Sequence, residues 1–357
     1  MVENIYVGMS GGVDSSTTAL LLKQAGHNVT GVYMKNWTKD LPGFNCPWKD
    51  DFNDAKRVAT ELDIPFKVYD FEKEYRQKVV DYLLDGYRTG ITPNPDIMCN
   101  QEIKFKLFSD LAISEGATKI ATGHYARILN NDGVYSLNIA IDKDKDQTYF
   151  LYRMSRDSLE KSLMPIGDYV KKDVRQIALT NNLSTAMKKD SQGICFVGKV
   201  GIKDFLLAEL GPQQPGDILD QNNQLVGRHD GAIFYTIGQR HGLDIGGGLP
   251  YYVFKKDMAK NIVFVTRDLQ QDSLWSNKIK LTQMHWLTKN NINRLRTSDN
   301  VMVRTRYRAT LIKVKNLELI SENEYSIETD EEIRAVTVGQ SAVFYQGEMV
   351  LGGGIIC

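Results

Sequence analysis

Residues Ile5-Tyr6-Val7-Gly8-Met9-Ser10-Gly11-Gly12-Val13-Asp14-Ser15-Ser16 set an apolar, β-favouring run directly before two glycines, a carboxylate and three hydroxyls. Ile5 to Met9 reads as a short buried parallel strand, and Thr17 to Gln24 as a helix stopped near Gly26. Glycines let a backbone approach a ligand closely. The N–H groups of such a turn, opening onto a helix, form an anion site that Ser10, Ser15 and Ser16 can extend. The plain alternative is a glycine-rich turn with Asp14 or Ser15 as helix N-cap. No Gly-Lys-Ser/Thr follows, so the turn is not a Walker A loop. No Gly-x-Gly-x-x-Gly is present, which excludes a dinucleotide fingerprint here.

What remains, Ser-Gly-Gly-Val-Asp-Ser straight after an N-terminal strand, resembles the PP-loop of ATP pyrophosphatases. The resemblance implies ATP cleavage between the α and β phosphates and adenylylation of an oxygen.

Up to about residue 125, strand and helix signals alternate. Strands are expected at Val29–Met34, Phe66–Tyr69 and Lys119–Thr122. Helices are expected at Trp48–Leu62, about Phe71–Tyr87 and Glu102–Glu115. This predicts an α/β doubly wound parallel sheet with right-handed crossovers. Ligands of such sheets sit beyond the carboxyl ends of the strands. Gly8, Met34 and Gly123 fall at those ends.

Of four cysteines, Cys46 lies in an irregular insertion with no nearby base and reads as structural; Cys357 is terminal. Cys99 closes Thr92-Pro93-Asn94-Pro95-Asp96-Ile97-Met98-Cys99. The two prolines predict an extended turn with a helix starting close behind Cys99. A thiol near a helix N-terminus has its thiolate stabilised, and Asp96 can share the turn. Cys195 lies in Asp190–Gly198, where two glycines bracket an apolar run. That segment suits a mobile thiol-bearing loop or a short strand with a buried cysteine. Without a Cys-x-x-Cys pair or spaced histidines, neither a metal site nor a dense disulfide framework is expected.

After about Gly201 the punctuation changes. One helix, Ile202–Leu210, leads into short glycine- and proline-bounded strands, read as a small α+β domain. From Ser273 onward, short alternating strands suggest a C-terminal antiparallel β-barrel. The expected boundaries are 1–200, 201–272 and 273–357. In Val301–Arg308, Arg304, Arg306 and Arg308 recur with period two and are expected on one strand face beside Tyr307. Formal net charge is zero, but Lys278 to Lys315 holds ten Lys/Arg against one acid, and Glu318 to Glu332 holds seven acids and no base. The basic block is a solvated surface or a local phosphate-binding face. With 42% hydrophobic and 25% charged residues, no signal segment and no long apolar run, the chain reads as soluble, cytoplasmic and without a membrane partner.

Taken together, these stretches resemble the tRNA-specific 2-thiouridylase family nearly end to end. The match also covers Met34–Trp37, Ala121–Arg127, Lys145–Tyr152, Met164–Gly167 and Phe234–Gly242. The resemblance implies ATP, with Mg2+, bound across Gly8, Met9, Ser10, Gly11, Gly12, Val13, Asp14 and Ser15, with Met34 and Gly123 near the adenosine. It implies attack by the O2 of the tRNA wobble uridine on the α-phosphate, releasing pyrophosphate. Cys195 would carry a persulfide from a cysteine desulfurase or sulfur-relay partner. Cys99 would be the second nucleophile, forming a disulfide with Cys195. Asn94, Pro95 and Asp96 would hold the base, with Asp96 a proton shuttle. His124, Lys145, Asp146, Gln147, Arg306, Tyr307 and Gln340 would touch tRNA. An amidotransferase-type ligase sharing the PP-loop, or a non-catalytic RNA-binding protein, are the competing readings.

Overall fold

The computed structural model describes residues 1–41, 46–189, 201–288, 291 and 300–357. The N-terminal body runs β1 (Asn4–Gly8), α1 (Val13–Gln24), β2 (Asn28–Lys35), α2 (Trp48–Glu61), β3 (Phe66–Asp70), α3 (Glu72–Tyr75), α4 (Asp81–Arg88), α5 (Pro95–Met98), α6 (Ser109–Ser114), β4 (Lys119–Thr122), β5 (Ala126–Asn131), β6 (Val134–Ile139), α7 (Arg156–Glu160), β7 (Ser162–Leu163) and α8 (Lys171–Thr180). Five strands form a parallel sheet in the order β3-β2-β1-β4-β7. Both faces are covered, as an apolar parallel strand requires. Ile5 and Val7 point into one core with Val13, Leu20 and Val58; Tyr6 points into the other with Tyr75, Leu83 and Phe108. The order reverses between β1 and β4, so Gly8 and Gly123 flank the crevice where such sheets bind ligands.

Two helices differ from expectation. The first spans Glu72–Arg88, with wider π-helical turns at Arg76–Val80. The second begins at Pro95, seven residues before the expected Glu102, and is π-helical over Cys99–Phe108. Proline at the first helical position loses no hydrogen bond and is preset in φ, so Pro95 starts a helix that the sequence reading had it forbid. Asn94 caps it, accepting from the Asp96 and Ile97 N–H groups at 3.2 and 3.3 Å.

The middle segment comprises α9 (Ile202–Leu210), β8 (Gly216–Leu219), β9 (Leu225–His229), β10 (Tyr252–Asp257) and β11 (Ile262–Thr266), in sheet order β10-β11-β8-β9. Helix α9 is fastened to the first body at Glu209, a side chain only 4% exposed, which pairs with Lys39 and Arg76. Burial alone would raise this carboxyl's pKa, but the hydrogen bonds from Lys39 and Arg76 win and lower it.

Six strands then close an antiparallel barrel: β12 (Trp275–Trp286), β13 (Val301–Arg304), β14 (Ile312–Ser321), β15 (Glu324–Arg334), β16 (Ser341–Gln346) and β17 (Met349–Ile356), sealed by β12 against β17. The β5–β6 hairpin of the first body joins this sheet beside β17, through the Met349–Asn138 pair and the Ile139 N–H donating to the Glu348 carbonyl. Tyr149 and Tyr152 are fully buried in the same seam, their hydroxyls on the carbonyl and the hydroxyl of Ser341 respectively.

Candidate active site

The turn after β1 is shaped by close approach. Gly11 has φ +73°, and a Cβ there would lie 2.3 Å from the Asp51 carbonyl oxygen; a Cβ on Gly123 would lie 2.7 Å from the Ser15 nitrogen. Only glycine lets β4 and α2 close on the loop this tightly. The N-cap of α1 is Gly12, with no side-chain cap, rather than Asp14 or Ser15. Those two sit inside the first turn. The Ser15 hydroxyl donates back to the Gly12 carbonyl at 3.1 Å and accepts from the Ser10 N–H at 3.2 Å. Met9 and Val13 are 1% and 3% exposed, so they offer a ligand only their backbone. Gly8 lies under the Met34 methyl, to which a Cβ would come within 2.9 Å.

Asp14 is held by two residues that the sequence reading did not single out. Tyr125 donates its hydroxyl to Oδ1 at 3.0 Å, and Lys171 Nζ reaches Oδ1 and Oδ2 at 2.7 and 2.8 Å. Lys171 stands 157 positions from Asp14, so no local pattern pairs them. From Tyr125 the network continues. Its backbone exchanges hydrogen bonds with Gln147, at 3.0 Å to the side-chain oxygen and 2.8 Å from the Gln147 N–H. Asn100 donates to the Phe150 carbonyl at 3.2 Å, and the Phe150 ring packs on Tyr307 at 4.6 Å. The ATP-loop candidate, the 142–147 loop, the helix bearing Cys99 and the barrel are thus one connected unit.

Cys99 is 1% exposed and sits in the second turn of its helix, one turn deeper than expected, where the α-helical start gives way to π-helical turns. Long π-helical stretches are rare and collect at functional sites. Asn94 spends its side-chain oxygen on capping, and Pro95 is buried. Their turn is anchored from outside: Thr92 donates its N–H to Val338 of the barrel at 3.0 Å, and Gln340 donates to the Thr92 carbonyl at 2.8 Å. Cys195, with the whole of Asp190–Gly198, lies outside the described residues. Cys46 is half-buried with its thiol on the Trp37 carbonyl at 3.6 Å, and burial raises its pKa.

The expected RNA contacts divide into two groups. His124 is buried on Thr122 at 2.7 Å; burial, then Lys104, holds its imidazole well below its ordinary pKa. Asp146 is 4% exposed and accepts from Ala140, Thr148 and Arg304; burial raises its pKa despite those partners. Arg306 donates to the Ile237 and Ala335 carbonyls and to Thr337. These three side chains are turned into the fold. The expected arginine face is also corrected: β13 ends at Arg304, and Arg308 has φ +61°, so the period-two strand stops before Arg306. Arg304 and Arg308 nevertheless meet Lys143, Asp144, Lys145 and Asp146 around a cavity of about 290 Å3 between the 142–147 loop and the barrel.

Among the described residues no cluster of His, Cys, Asp or Glu could hold a metal ion, and no helix is long and apolar enough to cross a membrane. Three family models match in succession: a tRNA methyl transferase HUP domain over residues 3–199, a tRNA methyl transferase PRC-barrel domain over 203–267 and an aminomethyltransferase beta-barrel domain over 276–356. The proteins named tRNA-specific 2-thiouridylase MnmA from Bacillus subtilis (strain 168) and Bacillus velezensis are 47% and 46% identical over 354 residues, spanning 99% of this chain and 94% of each relative. The protein of the same name from Bacillus cereus (strain ATCC 14579) is 44% identical over 353 residues, with the same coverage. Identity at this level, along almost the full length of both partners, means that the chain belongs to the tRNA-specific 2-thiouridylase family.

Proposed function

We propose that this protein replaces O2 of a tRNA wobble uridine with sulfur, at the expense of ATP. The observation that carries the reading is the glycine-lined turn between β1 and α1, hydrogen-bonded through Asp14, Tyr125 and Gln147 to the loop beside the Cys99 helix. A triphosphate seated on the first turn of α1 meets unpaired backbone N–H groups and the positive end of the helix. Asp14 is the carboxylate at hand for the Mg2+ that ATP carries, an ion held mostly by phosphates and water.

Uridine O2 attacks the α-phosphorus; the Pα–O2 bond forms, the bond to the β-phosphate oxygen breaks, and N3 gives up its proton. The resulting AMP-bearing oxygen is a good leaving group. Sulfur carried as a persulfide on Cys195, delivered by a donor protein of the cytoplasm, then reaches C2 and AMP departs. Either the terminal persulfide sulfur attacks directly, or Cys99 liberates it first as hydrosulfide. Both routes leave a Cys99–Cys195 disulfide that an external reductant reopens, so the electrons balance. Asp96 serves as the proton shuttle beside the base, with Asn94 and Pro95 shaping its turn. Lys145 and Tyr307 face the RNA, while His124, Asp146, Gln147, Arg306 and Gln340, each hydrogen-bonded within the fold, brace the same region. The boundaries near 200 and 272 follow this division of labour.

The family-model descriptions name a methyl group and the relatives' names a thiol. Two cysteines, Cys99 and Cys195, suit sulfur chemistry and have no task in methyl transfer. An amide-forming ligase or a purely RNA-binding protein likewise leaves them idle. Mass spectrometry of tRNA incubated with protein, ATP and a persulfide donor tests the reading. Wild type should yield 2-thiouridine. Cys195→Ala and Cys99→Ala should release pyrophosphate without thiolating. Thiolation by Cys195→Ala, or none by wild type, refutes it.

A further inference from the structure

The Lys171–Asp14 pair stands in a place that stability alone does not explain. Asp14 occupies the second position of α1, where the helix's own positive end already favours a carboxylate. Lys171 is the first residue of α8, where that helix's positive end disfavours a cation. With Lys171 12% and Asp14 31% exposed, the pair is partly buried, and the cost of desolvating both charges offsets much of their attraction. A local rule broken without a stability gain points to function. Yet the ammonium is well placed. Its side chain is 12% exposed, it touches both carboxylate oxygens, and it lies 5.6 Å from the centre of the Tyr125 ring. Its backbone is fixed as well, the Lys171 N–H donating to Asp142 at 2.8 Å. Asp142 also opens the 142–147 loop, accepting from the Lys145 N–H.

A triphosphate arriving at α1 meets Asp14 as a like charge. The ammonium neutralises that charge at the start of α1, the end of the helix at which the phosphates would sit, while the Tyr125 hydroxyl keeps its own bond to Oδ1. We propose that Lys171 is a catalytic residue of adenylylation, its ammonium shifting from Asp14 onto the α-phosphate and the departing pyrophosphate as the Pα–O2 bond forms. No proton or electron moves through Lys171; it stabilises charge that builds as the bond to the leaving oxygen breaks. The inference rests on the ATP-dependent reading above.

The test uses the full chain with tRNA and ATP, measuring pyrophosphate release in a single turnover. Affinity for the unreactive α,β-methylene-ATP is measured separately. Removing one preorganised charge-stabilising group typically costs about 100-fold or more in rate. Lys171→Met should lose about that much, with affinity for the analogue reduced less than about tenfold. Lys171→Gln, which can still donate to Asp14 but carries no charge, should fold as wild type and be equally slow. Lys171→Arg, which keeps the charge, should recover part of the rate. Release by Lys171→Gln within about tenfold of wild type, or a rate loss matched by an equal loss of affinity, overturns the assignment. A wild-type protein that releases no pyrophosphate refutes the functional reading instead.

Discussion

Lys256 offers a quantitative test of the packing. It lies on β10 opposite Val263, a residue with no exposure, and its Nζ is buried with no hydrogen-bond partner among the described residues. Burial pushes its pKa from 10.5 down to about 8. At ~1.4 kcal/mol per pKa unit, holding the charged amine in place costs the folded state ~3 kcal/mol near neutral pH. Lys256→Met keeps the unbranched apolar stem and removes the charge. It should therefore stabilise the protein at pH 7 by ~2–3 kcal/mol. Because the folded pKa lies below the unfolded one, the unfolded chain binds more protons between pH 8 and 10.5. Wild-type stability gains from this group as pH rises through that window. The advantage of methionine should thus be full below pH 8 and shrink towards pH 10.5. Urea unfolding of both proteins at pH 7 and pH 10 reads the difference, since every other titrating group is common to the two. A variant no more stable at pH 7, or an advantage unchanged at pH 10, would refute the unpaired buried amine.

Four further outcomes are expected. Gly123→Ala drives a methyl into the Ser15 backbone and should abolish pyrophosphate release in a single-turnover assay while the circular dichroism stays native. Arg308→Ala should weaken tRNA binding and lower the salt slope by about one, read by filter binding, because Arg308 lines the basic cavity. Arg306→Ala should instead lower the melting temperature, its guanidinium being committed to two carbonyls and Thr337. His124 is held neutral by burial, so below pH 6.5 the unfolded state takes up the proton first; stability falls with acid, and His124→Gln should flatten that fall in denaturation measured from pH 7 to 5.

The strand–loop–helix at the N-terminus was legible because its glycines answer to local geometry. The parallel sheet, with Gly8, Met34 and Gly123 at the carboxyl ends of its strands, followed from strand and helix alternation; the strand order, with its reversal between β1 and β4, rests on tertiary packing that alternation does not encode. Pro95 misled because proline reads as a breaker until one knows that Asn94 caps the helix it opens. The arginine triplet misled because its period of two outlasts the strand, which ends at Arg304 before the left-handed Arg308. Asp146 sits in a charged run, Asp142 to Thr148, yet its carboxylate is buried on donors from Ala140, Thr148 and Arg304. Lys171 carries no local signal at all; only the packing of α8 against α1 brings it to Asp14.

The hairpin that leaves the first body to join the barrel sheet bears on how the chain is made. Met349 pairs with Asn138, so 349 − 138 = 211 residues separate the partners. At about 5–20 residues per second, a ribosome needs about 10 to 40 s to deliver β17 after β6 has emerged. For that interval one edge of β6 is bare, and Tyr149 and Tyr152 lack the Ser341 groups that later receive their hydroxyls. Nascent chains of this protein therefore pass through a long-lived stage with a sticky strand edge and two unsatisfied tyrosines. Premature termination before residue 349 should yield not a smaller working enzyme but a species that chaperones must hold.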